Sequence, residues 1–354
     1  MEHRLSENIV IENRTIGPGN PCYLIAELSA NHRQNFDTAV AMIEAAHEAG
    51  ADAVKLQTYT PDTITIDSNS ASFVHGRKSL WAGKNLYQLY QDAYTPWDWQ
   101  PQLKACADEI GIPLFSTPFD HSAVDFLEEM DVPAYKIASF EIVDIPLIKK
   151  VAATGKPLIF STGMARLDEV EMAVQAAIEA GAKMLSLLKC CSAYPAVDKD
   201  MNLRTITDLK KRFKVPIGLS DHTLGGESAV AAVALGASVI EKHFTLDRSA
   251  PSPDSAFSLE PHEFRILCDS VRAVECALGT VSYGATDAEQ ESLKFRRSLF
   301  VVKNIEEGEL LTGDNIRSIR PADGLPPCEW EQVIGRRARV FLERGEPLRK
   351  EDLV

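Results

Sequence analysis

No stretch of this sequence is apolar for long enough to span a bilayer. Its first residues, with Glu2, His3, Arg4 and Glu7 ahead of any apolar run, lack the layout of a secretory leader. The seven cysteines are scattered, odd in number and without a C-x-x-C pair, which suits a reducing compartment better than a disulfide framework. A surplus of positive charge is missing too. Lys plus Arg is 37 against 51 for Asp plus Glu, and a net charge of −14 argues against a general nucleic-acid or anionic-membrane surface. Any anionic ligand must therefore meet a local basic pocket. The expectation is a cytoplasmic protein with neither nucleic acid nor membrane as partner.

What is present is an ordinary globular composition, 45% hydrophobic and 25% charged, over 354 residues. That length exceeds what one core usually serves, so a large domain plus a smaller one is the first expectation. From about residue 22 to about 280, short apolar runs alternate with helical patterns, as parallel β/α units do. The predicted strands are Tyr23 to Leu28, Ala53 to Gln57, Pro113 to Thr117, Tyr135 to Ala138, Pro157 to Ser161, Met184 to Lys189, Pro216 to Leu219 and Ser238 to His243. Predicted helices Asp37 to Ala49, Trp99 to Ile110, Leu167 to Ala180 and Glu227 to Leu235 each stop at a glycine, namely Gly50, Gly111, Gly181 and Gly236. Eight such units in roughly 250 residues match a closed (β/α)8 TIM barrel. A doubly wound open sheet would more often carry a Gly-rich phosphate loop after its first strand, and none occurs here.

A long insertion, Thr60 to Pro96, follows the second strand and carries Trp81, Tyr87, Tyr90 and Tyr94. It reads either as a lid or binding loop or as an added surface helix. The barrel pattern, assigned to 1–281, ends near Gly279, and a polar linker over 282–297 leads to a second domain over 298–354. In that domain Gly308-Glu309-x-Leu311 with Ile316 recurs 37 residues later as Gly345-Glu346-x-Leu348 with Leu353, implying a short duplicated element. A domain so small is marginal alone and is expected to pack on a barrel, its own or another subunit's.

Barrel active sites are built at the C-terminal ends of the strands. Polar residues crowd those ends here: Glu27; Lys55 and Gln57; Ser116 and Thr117; Lys136, Ser139 and Glu141; Ser161 and Thr162; Lys189 and Ser192; Ser220, Asp221 and His222; Glu241, Lys242 and His243. His222 and His243 end neighbouring strands, whose axes lie about 4.8 Å apart, so both imidazoles can reach one divalent ion that keeps open positions. One such histidine alone would more often be a hydrogen-bonded structural residue. Asp221, Glu241 and Asp254 are candidates to orient these ligands, although Asp221 equally well caps the next helix. Lys55 and Lys136, with the hydroxyls of Thr117, Ser139, Ser161 and Ser220, predict a cationic pocket suited to phosphate and carboxylate together. The plainer alternative pairs a lysine with Glu27 or Glu141 to close the mouth.

At these residues the sequence resembles the sialic acid synthase family, phosphoenolpyruvate-using barrels followed by a small antifreeze-like (SAF) domain, and the likeness runs over nearly the whole chain. Its most specific pieces are Ile25-Ala26-Glu27-Leu28-Ser29-Ala30-Asn31-His32, Lys55-Leu56-Gln57-Thr58, Lys136-Ile137-Ala138-Ser139-Phe140-Glu141, Ser161-Thr162-Gly163-Met164, Ser220-Asp221-His222-Thr223 and Glu241-Lys242-His243-Phe244. Leu28-Ser29-Ala30-Asn31-His32, Ser139-Phe140-Glu141 and Leu80-Trp81 leading to Tyr94-Thr95-Pro96-Trp97 resemble the branch of that family that makes pseudaminic acid. The resemblance implies phosphoenolpyruvate and an acetamido sugar, 2,4-diacetamido-2,4,6-trideoxy-L-altrose, as substrates. It implies Mn or Mg held by His222 and His243, and phosphoenolpyruvate held by Lys55, Thr117, Lys136, Ser139, Ser161 and Ser220. Glu27, Glu141, Lys55, Lys136 and Asp254 would act at the reacting groups, and Gln57, Tyr194, Asp254 and Phe257 would meet the sugar. Arg320, in Arg320-Pro321-x-x-Gly324, would reach the sugar in the partner barrel of a homodimer. One departure is Ala250-Pro251-Ser252 ahead of Pro253-Asp254, where relatives usually have a flexible pair; two prolines stiffen this loop.

Two other functions fit the strand-end residues. In a class I aldolase Lys136 or Lys189 would form a Schiff base with pyruvate. A non-catalytic carbohydrate-binding protein would leave the two histidines without a purpose.

Overall fold

Eight short strands, buried along almost their whole length, pair side by side in parallel and close on themselves. The computed structural model describes residues 5–74 and 84–354, so Leu80 and Trp81 lie outside the described residues. Strands β1 (Ile9–Ile11) and β2 (Arg14–Ile16) form an antiparallel hairpin ahead of the barrel. The barrel strands are β3 (Tyr23–Glu27), β4 (Ala53–Thr58), β5 (Leu114–Pro118), β6 (Tyr135–Ile137), β7 (Leu158–Ser161), β8 (Leu185–Cys190), β9 (Ile217–Asp221) and β10 (Val239–His243). They follow one another in sequence order, and β10 pairs with β3 to complete the ring. All eight predicted strands are present.

Apolar runs such as Leu-Ser-Leu-Leu at the start of β8 are what a sheet covered on both faces requires. Helices Phe36–Glu48, Gln100–Ile110, Leu167–Glu179 and Glu227–Ala234 occupy the predicted places. The glycines that stop them, Gly50, Gly111, Gly181 and Gly236, all have positive φ, from 78° to 103°. Four further helices, His121–Glu129, Ile145–Ala152, Arg204–Phe213 and Pro261–Leu278, complete the outer ring. The Thr60–Pro96 insertion holds helices Pro61–Ile64 and Leu86–Ala93, and Tyr90 on the second packs edge-on against Tyr59, ring centroids 5.5 Å apart.

The chain divides into two units, Met1–Gly279 and Thr280–Val354. The stretch read as a linker holds a 3-10 helix, Asp287–Phe295. Beyond it β11 (Ser298–Val301) and β12 (Ile316–Ile319) pair antiparallel over a core that contains Leu311, Ile316, Leu348 and Leu353. The repeat seen in the sequence is a repeated turn. Glu309 N–H donates to Glu306 O and Glu346 N–H to Glu343 O, while each carboxylate accepts from the backbone N–H three residues back.

Candidate active site

Strand alternation sorts the strand-end residues into two sets. At the ends of β9 and β10, Ser220, His222 just past its strand, Glu241 and His243 face the barrel's mouth, and Asp221 and Lys242 between them face the outer helices. The inner set, together with Glu27, Lys55, Gln57, Thr117, Lys136, Ser139, Ser161 and Tyr194, lines a single cavity. Of the residues expected in the site, Glu141, Asp254, Phe257 and Arg320 do not line it.

The anion half is built from charges that already have partners. Lys55 Nζ lies 2.5 Å from Glu27 and 3.8 Å from Glu241, and it donates to Thr117 Oγ1 at 3.1 Å. Lys136 Nζ lies 3.2 Å from Glu241, and Ser220 Oγ donates to the same carboxylate at 3.1 Å. Two lysines thus face two carboxylates, so the pocket is not the net cationic one expected from sequence. The lysine–carboxylate alternative holds for Lys55 and Glu27, whereas Lys136 pairs with Glu241 rather than with Glu141. Burial alone would raise the Glu241 carboxyl, but Lys136 and Lys55 hold it down at about 2. Burial raises Glu27 in spite of its Lys55 partner and lowers Lys136 in spite of Glu241. Ser161 Oγ is buried with no hydrogen-bond partner among the described residues, a vacancy that an incoming oxygen would satisfy.

The histidine half is tied from behind. Burial pushes His243 down, whereas His222, buried as well, is raised by Cys190 and the Cys191 carbonyl beside it. The His222 and His243 ring centroids lie 5.4 Å apart. His222 Nδ1 is 2.9 Å from the carbonyl of Cys191, which can only accept, so Nδ1 carries a proton and in the neutral ring Nε2 keeps the free lone pair. His243 Nδ1 lies 3.2 Å from Ser29 Oγ. Tyr194 and Phe257 pack around both rings, with Phe257 4.9 Å from His243 and Tyr194 4.5 Å from His222. Among the described residues no cluster of three or more His, Cys, Asp or Glu side chains could hold a metal. Two imidazoles with no third protein ligand suit a divalent ion that leaves positions open.

The remaining expected residues stand around this cavity. Glu141 follows β6 on a 3-10 turn, where burial lifts its carboxyl to about 7. Asp254 is half-buried, its carboxylate accepting from Ser29 Oγ and the Ala30 N–H. Arg320 is exposed in the second unit, just after β12. Asp221 neither caps a helix nor orients a histidine. Its carboxylate takes Lys242 at 2.8 Å and the Thr223 N–H and hydroxyl, in a fully buried ion pair behind the histidines. Lys189 donates to its neighbour's carbonyl, Cys190 O, at 2.5 Å. Sequence reasoning missed Cys190 and Phe119, which line the cavity, and Ser29, which reaches His243. Nothing but strand alternation signalled Cys190.

The model of the family described as the NeuB family matches residues 42–283, and that of the SAF domain matches residues 296–354. A pseudaminic acid synthase of Campylobacter jejuni is 44% identical over 93% of this chain and 96% of its own length. One of Helicobacter pylori is 42% identical over 94% and 98%. The crystal structure of an N-acetylneuraminic acid synthetase from Leptospira borgpetersenii, in complex with citrate, superposes with a TM-score of 0.73 at 33% identity, covering 83% of this chain and 98% of that one.

Proposed function

Because the chain belongs to the NeuB family, the sialic acid synthase family its motifs resemble, we propose that it condenses phosphoenolpyruvate with 2,4-diacetamido-2,4,6-trideoxy-L-altrose and water, giving pseudaminic acid and phosphate. The observation that carries this reading is the joining, in one strand-end cavity, of two buried lysines and an unpartnered Ser161 hydroxyl with two imidazoles whose back nitrogens are engaged. The pseudaminic acid synthases matched over nearly the whole chain support the choice of sugar.

In the reaction C3 of phosphoenolpyruvate bonds to the sugar's aldehyde carbon, water adds at C2, and phosphate leaves with cleavage of the C2–O bond. Lys55 and Lys136 would hold the phosphate and carboxylate, released from Glu27 and Glu241 as the anion enters, with Thr117, Ser139, Ser161 and Ser220 donating to its oxygens. Glu27 or Glu141, both raised by burial, would take the proton of the attacking water. His222 and His243 would hold Mn or Mg, which when bound polarises the aldehyde oxygen. Gln57, Tyr194 and Phe257 would border the sugar, and Asp254 would support them from behind.

A homodimer completes the reading. The exposed apolar residues Phe140, Val143, Met164, Leu167, Val197 and Leu224 lie on the segments that follow β6, β7, β8 and β9, Leu167 at the start of its helix, an arc around one side of the mouth. A patch of that kind calls for a covering surface. The partner's second unit, with Arg320 exposed just after β12, would supply it, and sedimentation at low concentration should return twice the chain mass.

Lys136 favours a second reading. A buried lysine with a lowered pKa is what Schiff-base chemistry requires. Borohydride with pyruvate separates the two, since the condensation predicts no covalent adduct. The deciding assay measures phosphate release with the altrose derivative, N-acetylmannosamine and a diacetamido mannose side by side. The altrose derivative should give the largest kcat/KM, and a preference for N-acetylmannosamine would overturn the assignment.

A further inference from the structure

Ser29 sits in an unfavourable place for a residue with a side chain. Its φ is +41°, in the left-handed region, where the backbone strongly prefers glycine. The turn that holds it is closed by the Asn31 N–H donating to Leu28 O at 3.1 Å, with Ser29 as the first inner residue. Positive φ at that position is the mark of turns in which glycine dominates. Strain of this kind persists where the surroundings enforce it, and it clusters at working sites.

What the side chain contributes is one hydroxyl with two neighbours. Ser29 is 1% exposed, and its Oγ donates to the Asp254 carboxylate and lies 3.2 Å from His243 Nδ1. Burial raises the Asp254 carboxyl while the Ser29 hydroxyl and the Ala30 N–H pull it down; in its ionised form it can only accept, and the single hydroxyl proton then goes to Asp254. A serine oxygen that has spent its proton can only accept from the imidazole, so His243 Nδ1 must carry the hydrogen and Nε2 the lone pair. The same tautomer is imposed on His222 by the Cys191 carbonyl. Asp254 itself is fixed, since the Ala30 N–H donates to its carboxylate, its backbone N–H donates to Ser252 Oγ at 3.3 Å, and its carbonyl accepts from Ser258 Oγ at 2.7 Å. Asn31 then ties this loop down by donating to Ser258 Oγ and to Phe244 O, both at 2.8 Å, and accepting from Ser252.

We propose that Ser29 is a positioning residue whose hydroxyl couples Asp254 to His243 and sets the histidine's tautomer, leaving Nε2 free for a divalent cation. Asp254 thereby acts on the reaction through Ser29 and His243. The proposal rests on the reading of His222 and His243 as a cation site, but the tautomer can be measured without any cation.

The test uses the full chain and two variants. Ser29→Gly relieves the strain and removes the hydroxyl, whereas Ser29→Ala removes the hydroxyl and keeps the strain. In metal-free protein labelled with 15N-histidine at pH 8, His243 should be the pure Nδ1–H form in the wild type and a mixture of tautomers in both variants. His243→Gln identifies its signals. Mn2+ affinity followed by electron paramagnetic resonance should fall roughly 10- to 100-fold in both variants, with the KM for phosphoenolpyruvate changed less than twofold. Ser29→Gly, which loses the strain together with the hydroxyl, should melt higher than Ser29→Ala, which loses the hydroxyl alone. An unchanged His243 tautomer in Ser29→Gly would overturn the proposal. Failure of the wild type to bind Mn2+ would instead sink the cation reading and leave the tautomer measurement to judge Ser29.

Discussion

The two halves of the cavity solve opposite problems with the same strand ends. On one side Lys55 and Lys136 face Glu27 and Glu241, four ionisable groups whose charges cancel until an anion arrives. On the other, His222 and His243 are held by a backbone carbonyl and a hydroxyl that leave one nitrogen each toward the mouth. The comparison teaches that buried charge needs a companion, because an unpaired buried ion costs several kcal/mol, whereas an imidazole held at one nitrogen needs only to be aimed. The lysine half is therefore primed for exchange, carboxylate for substrate anion, and the histidine half is preorganised.

Breaking the histidine half should have the largest effect on rate and the smallest on stability. His222→Ala or His243→Ala should lower phosphate release by roughly 10³-fold or more while thermal melting stays near the wild type. Breaking the lysine half should do the reverse in stability. Lys136→Met leaves Glu241 with one lysine instead of two, and a loss of about 3 kcal/mol or more in urea unfolding is expected together with a raised KM for phosphoenolpyruvate. The double variant Lys136→Met with Glu241→Gln should recover much of the stability and none of the activity.

The outer pair sharpens the contrast. Asp221 and Lys242 are fully buried behind the same strands and touch neither substrate anion nor cation in the proposed reaction. Lys242→Met should destabilise by about 3 kcal/mol, with kcat falling far less than in the histidine variants. The smallest effect concerns His32, which is buried against Trp99, accepts the Gln34 N–H at Nδ1 and reaches Thr95 through Nε2. Burial lowers it to about 4 from an ordinary value of 6.5, so the unfolded chain binds the extra proton between those limits. Its contribution is complete above pH 6.5 and drains away as pH falls toward 4. Melting followed from pH 7 to pH 5 should show a decline that His32→Gln reduces.

Much of the barrel was legible in the sequence because its strands are apolar on both faces and four helices end at glycine. The helices His121–Glu129 and Arg204–Phe213 were not named, and they are followed by Asp131 and Lys214 at φ 50° and 54°, left-handed positions without the expected glycine. The hairpin of β1 and β2 escaped because three residues per strand carry almost no period. The cavity's residues were legible as strand ends, and alternation alone would have sent Asp221 and Lys242 outward. The partners were not, since Lys136 meets Glu241 across the barrel, 105 residues away, and no local spacing encodes that meeting. Ser29 was hidden by its own backbone, whose left-handed turn no local sequence signal announces.

The most direct test is a crystal structure of the protein grown with Mn2+ and phosphoenolpyruvate, with manganese located by anomalous scattering. The prediction is one manganese peak bonded to Nε2 of both His222 and His243, beside a phosphoenolpyruvate whose oxygens touch Lys55, Lys136 and Ser161. Manganese bound elsewhere, or the anion lying outside the barrel's mouth while both lysines keep their carboxylate partners, would contradict it.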